Sequence, residues 1–310
     1  TLNDKVRKYM ELQFKDLDSS ALKTLAPLFT FRENKTCDSV FLGLFLWKDY
    51  YQVRYAVGDD KTIFLRINAD GKEYAALPIC KAAGLSHSFG VLKDYFNQTL
   101  GLKLNIFLAD EAAVRLLKLP EDEFDVEELE DARDYLYSGD ALRSLAGRKL
   151  HKKKNLVNSF VRTWEGRFEY RRLTCAEGSE IKSFLARWGV AREERMEGQL
   201  EHEILGIHEI LRCCSLLDIT MAGIYIDGTL EAFTIGSYNP LEQMAVIHIE
   251  KANPEIKGLY QFINQQFLIH EFPDAVLINR EDDLGDPGLR QAKLSYCPVD
   301  FARKYRIRQR

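Results

Sequence analysis

A chain of 310 residues exceeds what one hydrophobic core usually organises, so two domains is the starting expectation, and 46% hydrophobic with 29% charged residues is an ordinary folded make-up. The longest apolar run, residues 40–47, is far below the ~18–20 residues of a membrane span, and no charged-then-apolar signal segment opens the chain, which points to a soluble, cytoplasmic protein. The six cysteines (Cys37, Cys80, Cys175, Cys213, Cys214, Cys297) show neither a C-x-x-C pair nor zinc spacing, so buried reduced thiols and no metal site are expected.

In chain order, the first half reads as a strand at 12–17 and helices at 20–29 and 39–47. A hairpin of 51–57 with 62–67 follows, then strand 74–79, helix 89–100 and strand 104–108. A short helix at 111–117 and a strand entering Tyr135 finish it. Between them, 121–134 is acidic, with nine carboxylates among fourteen residues, a composition that usually marks a solvated face.

The second half repeats this order: strand 168–174, helices 176–188 and 196–211, and strands 219–226 and 230–238. The two strands are joined at Asp227-Gly228, a hairpin signal because both residues tolerate positive φ. Strand 244–250, helix 256–270 and strand 275–278 form a strand-helix-strand unit, which requires parallel strands. A helix at 287–295 and a strand at 299–305 complete it. From the hairpin onward the copies run at an offset of about 170 residues (residue 244 against residue 74), so the chain divides into two related α+β domains, 1–134 and 135–310.

The copies differ chemically. Strand 275–278 breaks at once into Asn279, Arg280, Glu281, Asp282 and Asp283, and strand 244–250 ends at Glu250 and Lys251. Parallel neighbours place their carboxyl ends on one sheet edge, where open α/β sheets bind ligands, so these groups should converge. The first copy has Ile79-Cys80-Lys81 and Ala109-Asp110-Glu111 there, and the site is expected in the second. Its other cationic feature is a predicted helix at 148–162 that opens on Arg148, Lys149, Lys152, Lys153 and Lys154 around an apolar stripe. That cluster is either a solvated interdomain face or a seat for a phosphate-rich partner.

Two runs, YLYSGDALRSLAGRKLHKKKNLVNSF at 135–160 and HIEKA with NREDDLGDPGLRQAKLSYCP at 248–298, resemble a bacterial family of poorly characterised proteins related to the carboxyl-terminal domain of phosphatidylglycerol lysyltransferase. The resemblance covers essentially the whole chain. It implies tandem GNAT-like acyltransferase domains, each a mixed, mostly antiparallel sheet with flanking helices, an arrangement shared with Fem-type peptidoglycan aminoacyltransferases. In such relatives an aminoacyl group moves from a transfer RNA ester to an amine or hydroxyl. The resemblance therefore implies aminoacyl-tRNA or acyl-coenzyme A as co-substrate with no tightly bound cofactor. Its implied acceptor is a small molecule, a peptide or a lipid headgroup. The lysyltransferase's membrane part has no transmembrane counterpart here.

Site residues follow on that basis. Alternation along 244–250 puts His248 and Glu250 on one strand face, with Glu250 either a general base or an ion-pair partner. Lys251, Lys257 and Gly258 lie near the start of the helix whose free amides would aim at a phosphate, although the full glycine-rich acyl-coenzyme A loop is missing. Asp286 and Pro287 read as N-cap and first turn. Arg290 and Lys293 share a face and hold either an anionic substrate group or Glu281 and Asp282. Asp282 and Asp283 suit a substrate ammonium, and Tyr296 is either a proton donor or core. The alternatives to aminoacyl transfer are acyl-coenzyme A dependent N-acylation and a non-catalytic amino-acid or peptide binding module on the same scaffold.

Overall fold

The computed structural model describes residues 12–29, 31–58, 60–69, 71–190 and 198–310. They form two compact units that interleave in sequence, one of 12–32, 50–128 and 305–310, the other of 33–49 and 129–304. The division expected at 134/135 separates most of each; the exceptions are 33–49, 129–134 and the last six residues.

The first unit carries strands β1 (Lys15–Asp16), β2 (Arg54–Val57), β3 (Ile63–Ala69), β4 (Lys72–Ala75), β5 (Asn105–Asp110) and β6 (Phe124–Glu128), with the C-terminal strand Lys304–Gln309 inserted between β5 and β6. Helix α1 (Leu22–Leu25) lies in this unit and α2 (Phe41–Leu46) in the other. Helix α3 (Leu85–Asp94) and α4 (Glu111–Leu117) flank the sheet, whose core includes Phe64, Phe89, Leu92, Phe96, Ile106 and Ile307. β4 and β5 are parallel at Ala75↔Ile106, as the strand-helix-strand pattern requires.

In the second unit, β7 (Asp134–Ser138) leads to α5 (Gly139–Ser144) and α6 (His151–Thr163). Then come β8 (Phe168–Leu173), α7 (Gly178–Val190), α8 (Gln199–Cys213), β9 (Thr220–Ile226), β10 (Thr229–Asn239), β11 (Met244–Ala252), α9 (Leu259–Glu271), β12 (Leu277–Asn279), α10 (Pro287–Leu294) and β13 (Asp300–Ala302); the C-terminal strand is β14. The start of the helix expected at 196–211 lies partly outside the described residues. The β9–β10 turn places Asp227 at φ 48° and Gly228 at φ 80°, which is why that dipeptide signals a hairpin.

The two sheets have one strand order. The first runs β1-β2-β3-β4-β5-β14-β6 and the second β8-β9-β10-β11-β12-β7-β13. Each strand of the first matches the strand seven later in the second, except that β7 and β14 are exchanged. The duplication read from the sequence is present, but the strand entering Tyr135 completes the other copy's sheet. The strand expected at 299–305 is split between the sheets as β13 and β14.

The all-reduced cysteine expectation is corrected in one place. Cys175 and Cys214 form a disulfide with Cα atoms 5.7 Å apart, because the turn after β8 meets the end of α8. Cys37, Cys80 and Cys213 are buried free thiols.

The exchange makes the last residues structural. Ile307 is fully buried in the first core, so Ile307→Ala should cost about 2–5 kcal/mol in urea unfolding. Deleting 305–310 should strip hydrogen-exchange protection from β5 and β6, which lose their shared neighbour.

Candidate functional site

The second unit's parallel pair provides the site's frame. β11 and β12 pair only at Met244↔Leu277, Ala245↔Ile278 and Val246↔Asn279. β11 continues six residues further along β10, while the chain after Asn279 turns away, so a gap opens between residues 247–252 and 280–283. Arg280 bridges it, with Nη2 3.0 Å from Glu250 Oε1. Glu250 Oε2 accepts from Asn264 Nδ2 of α9 at 2.7 Å, and the Arg280 guanidinium lies over the rings of Tyr296 (4.7 Å) and Tyr137 (5.8 Å). Burial works against the charged Arg280, but Glu250 together with Tyr296 and Tyr137 outweighs it and holds its pKa above the ordinary value. One guanidinium nitrogen, Nη1, is buried and has no hydrogen-bond partner among the described residues. A buried, charged donor left unpaired costs on the order of 1–3 kcal/mol or more, so this atom is poised for an acceptor.

A β-bulge separates His248 from Glu250. Ile235 pairs with Ile249 and Gly236 with Ile247, which leaves His248 as the extra residue of β11. Ala245 and Ile247 face the α9 core before the bulge, and Ala252 faces it after. Glu250 follows them to Asn264, whereas His248 turns to the opposite face, beside Gly43 of α2. The expectation that His248 and Glu250 share a face is therefore corrected: the bulge breaks the period of two. On its face, His248 Nε2 lies 2.7 Å from Ser237 Oγ and Nδ1 lies 2.8 Å from Glu281 Oε1.

The remaining polar run after β12 divides by partner. Asn279 is fully buried, and its Nδ2 donates to Lys35 O (2.8 Å) and Asp134 Oδ2 (3.0 Å), while its Oδ1 accepts from Glu281 N–H at 2.7 Å. Glu281 has φ 58°, and burial raises its carboxyl pKa although His248 pulls the other way. Asp282 Oδ1 accepts from Leu284 N–H at 2.9 Å, and burial raises its pKa too. Asp283 is engaged by Tyr135 Oη (2.5 Å) and twice by Arg290 (2.7 and 2.9 Å). Tyr135, buried and beside that carboxylate, is pushed up to about 12.

Arg290 and Lys293 do not act together. Arg290 joins Asp283 to Asp131, whereas buried Lys293 donates to the carbonyls of Arg280 (2.6 Å) and Asp282, and burial lowers its pKa. Lys251 is also committed elsewhere, to Glu203 at 2.5 Å and over the Trp188 ring. Of the groups expected to converge, Glu250 and Arg280 meet in the gap, and Lys251 does not join them.

The model for the family described as "Phosphatidylglycerol lysyltransferase, C-terminal" matches residues 29–308. The chain belongs to this family. Among solved structures it is similar to a protein of unknown function from Bacteroides thetaiotaomicron, at 26% identity and TM-score 0.88, covering 96% of this chain and 100% of that one. It is also similar to L-PGS from Bacillus licheniformis at 13% identity and TM-score 0.66, covering 95% and 92%. FemX matches at 8% identity and TM-score 0.63, covering 96% and 97%. These likenesses agree with the α+β, tandem GNAT-like architecture of this lysyltransferase-family chain. No helix among the described residues is long and apolar enough to cross a membrane, and none of their acidic, histidine or cysteine clusters could hold a metal.

Within the family frame, the basic helix reaches the gap. Arg148, Lys149, Lys152 and Lys154 are exposed, and half-buried Lys153 places its ammonium 4.3 Å from the Tyr296 ring, against which Arg280 also lies. Burial and then Arg280 lower the Lys153 pKa. Tyr296 is itself buried, which raises its pKa. α6 has no side-chain cap and no acidic residue in its first turn, so its lysines face the positive end of their own helix dipole. At the start of α9, Gly258 has φ 86°, and a Cβ there would lie 2.2 Å from Leu156 O of α6. Its glycine is needed for that close approach. Lys257 is exposed.

The signals that sequence reading missed were long-range: Asn264 and Tyr137 look like helix and strand interior, and Ser237 like any strand serine.

The Asp283 environment gives a pH test. Burial raises this carboxyl, but hydrogen bonds from Arg290, Tyr135 and Gly285 N–H outweigh it and hold the pKa below its ordinary value. As pH falls, the unfolded chain takes up the proton first, so this stabilisation is complete above about pH 4 and lost below it. Asp283→Asn should be less stable than wild type near neutrality, and the difference in urea midpoints should shrink below about pH 4.

Proposed function

We propose that this protein is an acyltransferase that moves an aminoacyl group from aminoacyl-tRNA to an amine or hydroxyl acceptor, with the reaction centred on the gap between β11 and β12. The observation that carries this reading is Arg280. Its guanidinium is buried, fixed by Glu250 and two tyrosine rings, and keeps one buried nitrogen without a hydrogen-bond partner among the described residues. A preorganised cationic donor of this kind suits an oxygen that becomes negative as an ester carbonyl goes tetrahedral. The acceptor's lone pair forms the new bond to the acyl carbon, the ester C–O bond breaks, and the RNA's terminal hydroxyl leaves with the proton the acceptor gives up. Glu250 is held by Arg280 and Asn264, so its role is to position the guanidinium. Tyr296 supplies a wall between Arg280 and Lys153, and Asp282 is the carboxylate available for the aminoacyl ammonium, because Asp283 is spent on Arg290 and Tyr135.

Two features support RNA over coenzyme A as the carrier. Exposed Arg148 and Lys149 in the turn just before α6, with Lys152 and Lys154 on it, provide a phosphate-binding surface joined to the gap through Lys153. At the start of α9, where an acyl-coenzyme A diphosphate would rest, the α6 backbone already packs on Gly258. No tightly bound cofactor is proposed. The family name adds a lipid headgroup to the acceptors worth testing.

The test is binding of aminoacylated transfer RNA, deacylated transfer RNA and acetyl-coenzyme A at two salt concentrations, followed by transfer assays. Salt-sensitive binding that favours charged RNA is expected, with the log–log salt slope reduced by about one for each α6 cation removed that contacts a phosphate. Arg280→Lys should lower kcat by roughly 10²–10³-fold while leaving RNA affinity nearly unchanged. Saturable coenzyme A binding without RNA preference would overturn the reading.

A further inference from the structure

On the face of β11 away from Arg280, three side chains form an ordered hydrogen-bonded series: Ser237 Oγ to His248 Nε2 at 2.7 Å, and His248 Nδ1 to Glu281 Oε1 at 2.8 Å. A carboxylate only accepts, so the tautomer that satisfies both contacts carries its proton on Nδ1 and leaves Nε2 to accept the serine hydroxyl. Nucleophile, base and orienting acid are recognised by this geometry and these roles, whatever their order in a chain.

Independent features of the fold produce the arrangement. The bulge makes His248 the extra residue of β11: its imidazole keeps the face of Met244 and Val246, beside Ser237 of β10, while Glu250 is moved to the other face. Glu281 is held at φ 58° by two backbone contacts, its N–H to Asn279 Oδ1 (2.7 Å) and its carbonyl to Tyr135 N–H (3.1 Å), which aim its carboxylate at Nδ1. The imidazole is fully shielded, while Glu281 keeps 19% of its side-chain surface and Ser237 7% of its residue surface. Gly43 sits beside the imidazole Cε1, where a Cβ would come within 3.7 Å. Ser237 is thus largely shielded as well, which fits a short acyl chain.

We propose that Ser237, His248 and Glu281 are a nucleophilic triad that takes an acyl group from a short-chain ester onto Ser237, an activity that does not depend on transfer RNA being the donor at the Arg280 face. Ser237 Oγ forms the bond to the acyl carbon as its proton passes to His248 Nε2. The ester C–O bond then breaks and the departing alcohol takes that proton. Water, giving its proton to the same nitrogen, releases the acid and restores the serine.

The probe is p-nitrophenyl acetate with the full chain. Wild type should give a nitrophenol burst of about one equivalent, with one acetyl group mapped to Ser237 by peptide mass spectrometry. Ser237→Ala should abolish both, and His248→Asn or Glu281→Gln should slow the burst by at least roughly 10³-fold. Ser237→Cys, which keeps the residue's size, should remain folded and become acetylated on sulfur, so loss of fold in the alanine variant cannot mask the result. No burst and no adduct in wild type, an adduct that persists in Ser237→Ala, or an unchanged rate in His248→Asn would each overturn the proposal. RNA binding is scored separately, so failure of either idea is visible without the other.

Discussion

The second unit is organised around one buried carboxylate. Asp134, at the start of β7, has no exposed surface, and it accepts from Lys304 Nζ at 2.8 Å, Cys37 N–H at 2.6 Å and Asn279 Nδ2 at 3.0 Å. Lys304 is equally buried; desolvation alone would lower its pKa, but Asp134 and Asp38 hold it well above the ordinary value. Removing two such ions from water costs several kcal/mol each, and only complete pairing repays it. Here the pairing is complete enough to fix four separated segments: 33–49, β7, the end of β12 and the start of β14. Through Asn279 the same carboxylate also fixes Glu281, and through Glu281 the imidazole of His248.

That anchoring explains how a duplicated fold tolerates exchanged strands. β7 and β14 occupy equivalent places in the two sheets but come from the opposite copy, and Asp134 and Lys304 are the first residues of those two strands. A salt bridge between strand starts specifies register in a way that apolar packing alone does not, since hydrophobic contacts are non-directional. The neighbouring Cys37 thiol is raised well above its ordinary pKa by burial and by Asp134 and Asp38, so it sits in the network as a neutral group.

Most elements were legible because their signals are local. The Asp227-Gly228 turn, the Asp286 cap of α10 (Leu289 N–H to Asp286 Oδ1, 2.7 Å) and the two strand-helix-strand units each follow from residues a few positions apart. The α+β duplication followed from their order. β6 was missed because Phe124–Glu128 is mostly charged, and its pairing with β14 uses Arg308 against Asp125 and Glu127 rather than an apolar face. The strand exchange had no local signature at all. Nor did the Cys175–Cys214 bond, whose cysteines are 39 residues apart. For the site, strand ends pointed correctly to Glu250 and Arg280 as neighbours. Local spacing was silent on which carboxylates were already committed, and Arg290, Lys251 and Lys293 prove to have protein partners.

The bulge at His248 is the feature that most changes the chemistry available. A regular β11 would stack His248 and Glu250 on one face, where the imidazole would compete with Arg280 for the carboxylate. One inserted residue instead gives each acid a single basic partner: Glu250 with Arg280 on the α9 side, and Glu281 with His248 on the other. A guanidinium that stays charged suits holding an oxyanion, and an imidazole with one nitrogen oriented by a carboxylate suits moving a proton. Those tasks conflict when crowded into one pocket, because a fixed positive charge nearby disfavours a second one on the imidazole. Placing them on opposite faces of one strand, two residues apart, removes that conflict at the cost of one residue's ladder pairing.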